Sequence, residues 1–197
     1  DKIKYDISLR KELNSDYKTP VVFAANGKYN ILDWYAINLN SSKNFRVPTF
    51  NDLYWVGAGA AGNEDVVPET SYQVELGQNF GFKSYKFNVT GYSIWSDDLI
   101  QWRPDTKGIW TPVNVNKAMQ YGLELQADLD KQYGNHHLLW KNSYAYTRSM
   151  DQETDYDLIY VPKHKFNSNL AYEYKKWGGT YQFLYSGPVY ITTDNSE

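Results

Sequence analysis

Leu123-Glu124-Leu125-Gln126-Ala127-Asp128-Leu129 alternates without a break. In an extended strand successive side chains point to opposite faces. Leu123, Leu125, Ala127 and Leu129 therefore share one face, and Glu124, Gln126 and Asp128 share the other. A helix would scatter both sets around its circumference. The same period recurs along the chain. Ile3, Tyr5, Ile7 and Leu9 oppose Lys4, Asp6, Ser8 and Arg10. Tyr72, Val74 and Leu76 alternate with Gln73, Glu75 and Gly77, and Tyr85, Phe87 and Val89 with Lys86, Asn88 and Thr90. Trp140, Tyr144 and Tyr146, then Phe166, Leu170 and Tyr172, then Tyr181, Phe183 and Tyr185 complete the series. Helical periodicity is nearly absent.

The pattern predicts an all-β antiparallel meander of about nine long strands, near 2–13, 20–29, 33–45, 70–80, 84–100, 110–130, 136–150, 159–175 and 178–190. Several exceed the usual 5–6 residues of a soluble strand and reach the 9–11 or so that a tilted membrane strand requires. Short connections are expected near Asn26–Asp33, Gly81–Ser84, Lys131–His136 and Lys175–Gly179. Long or polar ones are expected near Arg46–Thr70, Arg103–Gly108 and Met150–Leu158. Short turns at one end and long loops at the other is the plan of an outer-membrane barrel. A soluble β-sandwich that binds carbohydrate through exposed aromatics also alternates, with its apolar face inward, so alternation alone does not choose.

Composition narrows the function. The chain has 197 residues, a net charge of −3 and no cysteine. Disulfide scaffolds, thiolate metal sites and cysteine nucleophiles are excluded, and the acidic balance argues against nucleic acid as a partner. The 19 Tyr, 7 Trp and 8 Phe make up 17% of the residues, yet mean hydropathy is −0.67. That combination suits a surface whose aromatics have an apolar body and a wet tip. No apolar run is long enough for a spanning helix. No nucleophile–base arrangement, phosphate-cradling glycine loop or metal cluster is visible, so neither an enzyme nor a cofactor is expected.

Five motifs follow in order: Asn44-Phe45-Arg46-Val47-Pro48-Thr49-Phe50-Asn51-Asp52-Leu53-Tyr54-Trp55; Asp97-Asp98-Leu99-Ile100-Gln101-Trp102; Asn114-Val115-Asn116-Lys117-Ala118; Gly122-Leu123-Glu124-Leu125; and Tyr160-Val161-Pro162-Lys163-His164-Lys165-Phe166-Asn167. The set resembles the C-terminal barrel portion of TonB-dependent outer-membrane receptors, in their cobalamin- and siderophore-receptor branch, from about Leu9 to Tyr190, nearly the whole of 1–197. The resemblance implies part of a barrel of about 22 strands with a plugged lumen. It implies uptake of a scarce nutrient, cobalamin or a ferric siderophore, with energy from TonB. The implied location is the outer membrane of a Gram-negative bacterium. Outer-membrane lipid, TonB acting on a preceding plug, and a surface lipoprotein are the implied partners. The chain reads as a partial barrel without the plug domain or the last strands. A passive outer-membrane channel is the alternative within the same architecture.

Tyr54, Trp55, Trp102, Trp110 and Tyr156 fall at or near outward loops and are the candidate ligand contacts. The competing role for such rings is the aromatic girdle at the membrane interface. The glycines and alanines of 57–62 predict a small, flexible loop tip, and Gly122 a bend or close backbone approach. Asp97 and Asp98 are expected at a strand-to-loop junction, and Asp151, Glu153, Asp155 and Asp157 in a solvated acidic loop. His136 and His137 are adjacent, so they point to opposite faces and cannot share a metal.

Overall fold

Each alternating segment forms a strand in the computed structural model, which describes residues 2–15 and 17–196. The elements are β1 (Ile3–Lys11), β2 (Val21–Leu32), β3 (Tyr35–Arg46), a short helix α1 (Phe50–Tyr54), β4 (Val56–Gly57), β5 (Ala60–Ala61), β6 (Glu69–Gly81), β7 (Tyr85–Pro104), β8 (Trp110–Tyr133), β9 (His136–Asp151), β10 (His164–Tyr174) and β11 (Trp177–Ser186). The nine long strands pair antiparallel in the order β1-β2-β3-β6-β7-β8-β9-β10-β11. The pair β4–β5 is a miniature hairpin attached to β8 through Ala60 and Trp110.

Register converts alternation into two chemically distinct faces. Tyr5, Gly27, Leu39, Leu76, Gly91, Leu123 and Tyr146 stand in one row across seven strands. The adjacent row, on the opposite face, is Asp6, Asn26, Asn40, Glu75, Tyr92, Gly122 and Thr147. The polar face satisfies itself across strands: Asn40 donates to Glu75 at 3.1 Å, and the Tyr92 and Thr147 hydroxyls meet at 2.6 Å. Among the described residues no second layer covers the apolar face. Leu39 and Leu76 lie on interior strands, yet are 55% and 53% exposed. A sandwich would bury that face under a second sheet. Here all the described strands belong to one sheet, so the sandwich expectation is overturned. The small buried core, Val115, Ala118 and Leu158 with Leu99 and Val161 packed on it, involves the 152–163 connection and the outer part of β7–β8.

Aromatic rings collect at the short-turn end of the apolar face. Trp34 stacks on Phe82 at 5.4 Å and Tyr35 on Phe80 at 4.8 Å. Further along, His136 stacks on Tyr174 at 4.4 Å. Toward the other end, Tyr72 pairs with Trp95 and carries the Lys43 ammonium 4.9 Å above its ring. From Phe80 to Tyr72 is eight residue steps of roughly 3.3 Å, which at a tilt near 40° gives an apolar band roughly 20 Å high. That is close to the roughly 25 Å band of an outer-membrane barrel.

The connections sort by end. Two- or three-residue turns at 33–34, 82–84, 134–135 and 175–176 lie at one end, and 12–20, 47–68, 105–109 and 152–163 lie at the other. Three expectations are corrected. The first short turn is at Asp33 and Trp34, and Asn26 stays inside β2. The 105–109 connection is a tight turn, in which Asp105 accepts from the Lys107 and Ile109 amides at 2.8 Å each. Its reach comes from β7, which runs out to Pro104, and from β8, which starts level with it at Trp110. The strand expected from 159 begins at His164, because 158–163 folds back beside β9 through Leu158 N to Ser149 O and Thr147 N to Lys163 O, both 2.9 Å.

Gly122 makes the close approach expected of it. A Cβ there would overlap the Tyr146 carbonyl and come within 2.7 Å of the Tyr92 hydroxyl. Gly122→Val should therefore destabilise the barrel by about 1–3 kcal/mol. Denaturant unfolding in a bilayer checks this, with Gly91→Ala, which meets nothing within 4 Å, as the tolerated control.

Candidate functional site

At the end with long connections, the 47–68 segment is built around the buried Asp52 carboxylate. Pro48 cannot donate to a ladder, so pairing stops after Arg46. Thr49 then caps α1. Its hydroxyl accepts from the Asp52 amide at 3.2 Å, and the Asp52 carboxylate accepts from the Thr49 amide at 2.9 Å, a reciprocal capping box. The other Asp52 oxygen accepts from the Trp102 indole N–H at 2.9 Å. Arg46 reaches Asp52 at 3.3 Å and grips Glu69 through two nitrogens, at 2.9 and 3.1 Å. It also donates to the Ile100 carbonyl at 3.3 Å, while the Ile100 amide donates to Glu69 at 2.8 Å. One network thus ties together β3, α1, β6 and β7.

The 57–62 stretch is not the flexible tip expected of it. It forms the β4–β5 hairpin, closed by Gly62 N to Trp55 O at 2.7 Å and Asn63 N to Asp52 O at 2.8 Å. Gly62 packs so tightly that a Cβ would sit 2.6 Å from the Leu53 backbone. Small residues serve close packing here.

The five candidate rings fall into three groups. Tyr54 ends α1 with its ring 5.1 Å from Phe50, Trp55 is the helix C-cap, and Trp102 bonds Asp52, so these three gather around α1. Trp110 holds the hairpin tip through its amide on Gly59 O at 2.9 Å, and its ring lies 5.7 Å from Tyr160. Tyr156 lies apart, on a cleft of about 190 Å³ lined also by Arg103, Asp151, Asp157 and Asp194.

The acidic loop is not simply solvated. Asp151 is buried against Arg103 at 3.4 Å, and Asp157 is clamped by Arg148 at 2.9 Å and Lys163 at 2.6 Å. Asp97 and Asp98 sit inside β7 and not at its end; Asp98 takes φ 56° where the ladder to β8 is interrupted. His136 and His137 do face opposite ways, toward Tyr174 and toward Asp130 at 2.8 Å respectively. Among the described residues no group of three side chains is arranged to hold a metal ion.

Burial pushes the Asp52 carboxyl up, but hydrogen bonds from Thr49 and Trp102 and the Arg46 charge outweigh it and hold the carboxyl below its ordinary 3.8. Asp157 follows the same balance, with Lys163 and Arg148 outweighing burial. A carboxyl depressed in the folded state contributes stability above the ordinary value, lost as pH falls through the lowered one. Order in 47–68 and 152–163 should therefore hold at neutral pH and fail only below pH 3.8. Tryptophan emission followed through an acid titration checks this.

The family model described as TonB dependent receptor-like, beta-barrel, matches residues 2–197. The chain belongs to the TonB-dependent receptor β-barrel family. It is 29% identical over 198 residues to the vitamin B12 transporter BtuB of Photobacterium profundum, covering 98% of this chain and 32% of that protein. It is 28% identical over 149 residues to the BtuB of Vibrio vulnificus, covering 74% of this chain and 23% of that protein. The chain thus spans a third or less of these relatives. Among solved structures it is similar to the ferric enterobactin receptor PfeA, with TM-score 0.75, 17% identity and coverage of 98% of this chain and 32% of that one. It is likewise similar to the copper transporter OprC, with TM-score 0.70, 18% identity and coverage of 89% and 28%. At such identities these structures establish the shared receptor fold alone.

Sequence reasoning about this TonB-dependent receptor segment singled out the rings and missed their anchors. Arg46, Asp52 and Glu69 organise the end, and the signal for Asp52 was present: Thr49-x-x-Asp52 is a capping-box spacing. The Arg46–Glu69 pair becomes visible only through the β3–β6 register.

Proposed function

We propose that this chain is part of the barrel of an outer-membrane receptor that takes up cobalamin across a Gram-negative outer membrane with energy from TonB. The observation that carries the reading is that both relatives just named are vitamin B12 transporters, one of them aligned over 98% of this chain. Charge at the long-connection end supports the same cargo. Apart from Asp52, Asp157 and Lys163, which are ion-paired, connections 47–68, 105–109 and 152–163 hold five carboxylates (Glu64, Asp65, Asp105, Glu153, Asp155) against Lys107. A rim of that sign repels a polyanionic ferric catecholate and leaves neutral cyanocobalamin unaffected. The cations nearest the rings are already committed: Arg46 to Glu69 and Asp52, Arg103 to Asp151, and Arg148 and Lys163 to Asp157. Tyr54, Trp55, Trp102, Trp110 and Tyr156 are the proposed contacts, offering ring faces to a large, partly apolar ligand.

The second reading is a ferric siderophore receptor, favoured by the fold shared with PfeA. In either case the barrel works with a plug and TonB contributed by the rest of the receptor and the cell envelope, with lipid around it and a surface lipoprotein as a further partner. A passive channel is the alternative that lacks the plug. Calorimetry on the full-length receptor in detergent separates these. Nanomolar heat with cyanocobalamin is expected. Heat only with a ferric chelate moves the cargo to iron, and silence to both removes the cobalamin assignment.

A further inference from the structure

Asp52 is buried and its side chain is held by protein donors. Four donors converge on its carboxylate: the Trp102 indole on Oδ1, and the Thr49 amide, the Thr49 hydroxyl at 2.8 Å and Arg46 on Oδ2. Its own backbone is spent as well, on Thr49 and Asn63. Arg46 is equally committed, with Nε, Nη1 and Nη2 all donating within the network. The Trp102 indole has a single N–H, and Asp52 takes it. By contrast Tyr54 and Trp55, carried at the end of the same helix, keep 48% and 46% of their surface open.

We propose that Asp52 is a positioning residue for cargo capture: it fixes Trp102 and, through α1, Tyr54 and Trp55 in one arrangement before ligand arrives. The inference rests on the receptor reading above and deepens it. The wall so formed offers ring faces and no free charge, so it recognises a planar or apolar part of the cargo. An ordered wall avoids the cost of immobilising a loop at the moment of binding. Asp52 thereby acts on affinity without touching the ligand.

The test uses the full-length receptor in detergent with cyanocobalamin as probe. Asp52→Asn keeps the side chain's shape and exchanges an acceptor for a donor. Hydrogen exchange at the Gly62 and Asn63 amides is read without ligand, cyanocobalamin affinity by calorimetry, and barrel integrity by its melting temperature. The expected result is faster exchange at both amides, affinity weakened roughly tenfold or more, and an unchanged melting temperature. Saturating cyanocobalamin should restore protection. Thr49→Ser, which keeps the hydroxyl, should behave as wild type. Wild-type affinity in Asp52→Asn, with or without faster exchange, overturns the proposal. A wild-type receptor silent to cyanocobalamin fails the functional reading alone. Ligand-free exchange at Gly62 and Asn63 then still decides whether Asp52 holds the ring wall.

Discussion

Arginine in place of Leu76 or Leu123 is expected to cost the assembled barrel about 2–4 kcal/mol. Both residues occupy the central apolar row, directly across from Leu39 and Gly91 in the case of Leu76, and from Gly91 and Tyr146 in the case of Leu123. Both stay open, Leu76 53% and Leu123 40% exposed. In water such a substitution on an open face would be harmless or favourable. In lipid the guanidinium must be desolvated or drag water into the band, and the cost peaks near the midplane. Gln126→Arg, close by on the same strand but on the polar face, should cost under about 1 kcal/mol because that face meets water or protein. Reversible denaturant unfolding in bilayers measures both. Equal effects at Leu123 and Gln126 would remove the distinction between faces.

Arg46→Ala is expected to release the 47–68 connection while leaving the sheet folded. It strips the cation from Asp52, which is buried, and from Glu69, which is mostly so. Breaking a buried pair costs about 3–5 kcal/mol. The Arg46 side chain itself is 42% exposed, so screening brings the expected local loss to about 2–3 kcal/mol. Arg46→Lys should not restore it, since an ammonium cannot reproduce the two-nitrogen grip on Glu69 and the reach to Asp52 and Ile100. Limited proteolysis within 47–68 reports the release, and an unchanged cleavage rate in Arg46→Ala would show that the network is not what holds the loop.

Most of the sheet was legible because one face must be apolar and the other polar, and a period of two is hard to produce by accident. The nine expected strands became nine paired strands. The misplaced turn near Asn26 shows where local chemistry misleads. Asn26-Gly27 is a strong hairpin signal in isolation, yet the apolar period continues through Gly27 to Tyr29, and both pair within the sheet. Burial in a common register outweighs a local turn preference. The outer end was less legible for a different reason. Its order comes from contacts distant in sequence, such as Arg46 with Glu69 and Trp102 with Asp52. A stretch of glycine and alanine reads as flexible until those contacts show why small residues are required. The acidic loop failed likewise, because its cations come from β7, β9 and the approach to β10.

The proposed receptor role requires that the apolar face meet lipid and the polar face enclose the lumen. The chain contributes no native cysteine, so single cysteines for spin labels can be placed one at a time along β6, from Thr70 to Phe80, in the full-length receptor in bilayers. Collision with oxygen, which concentrates in lipid, should peak at 72, 74, 76 and 80. It should fall at 71, 73 and 75, whose labels point to the other face. A two-residue alternation of that phase is the expected result. Uniform contact with a water-soluble reagent along the whole strand would contradict it.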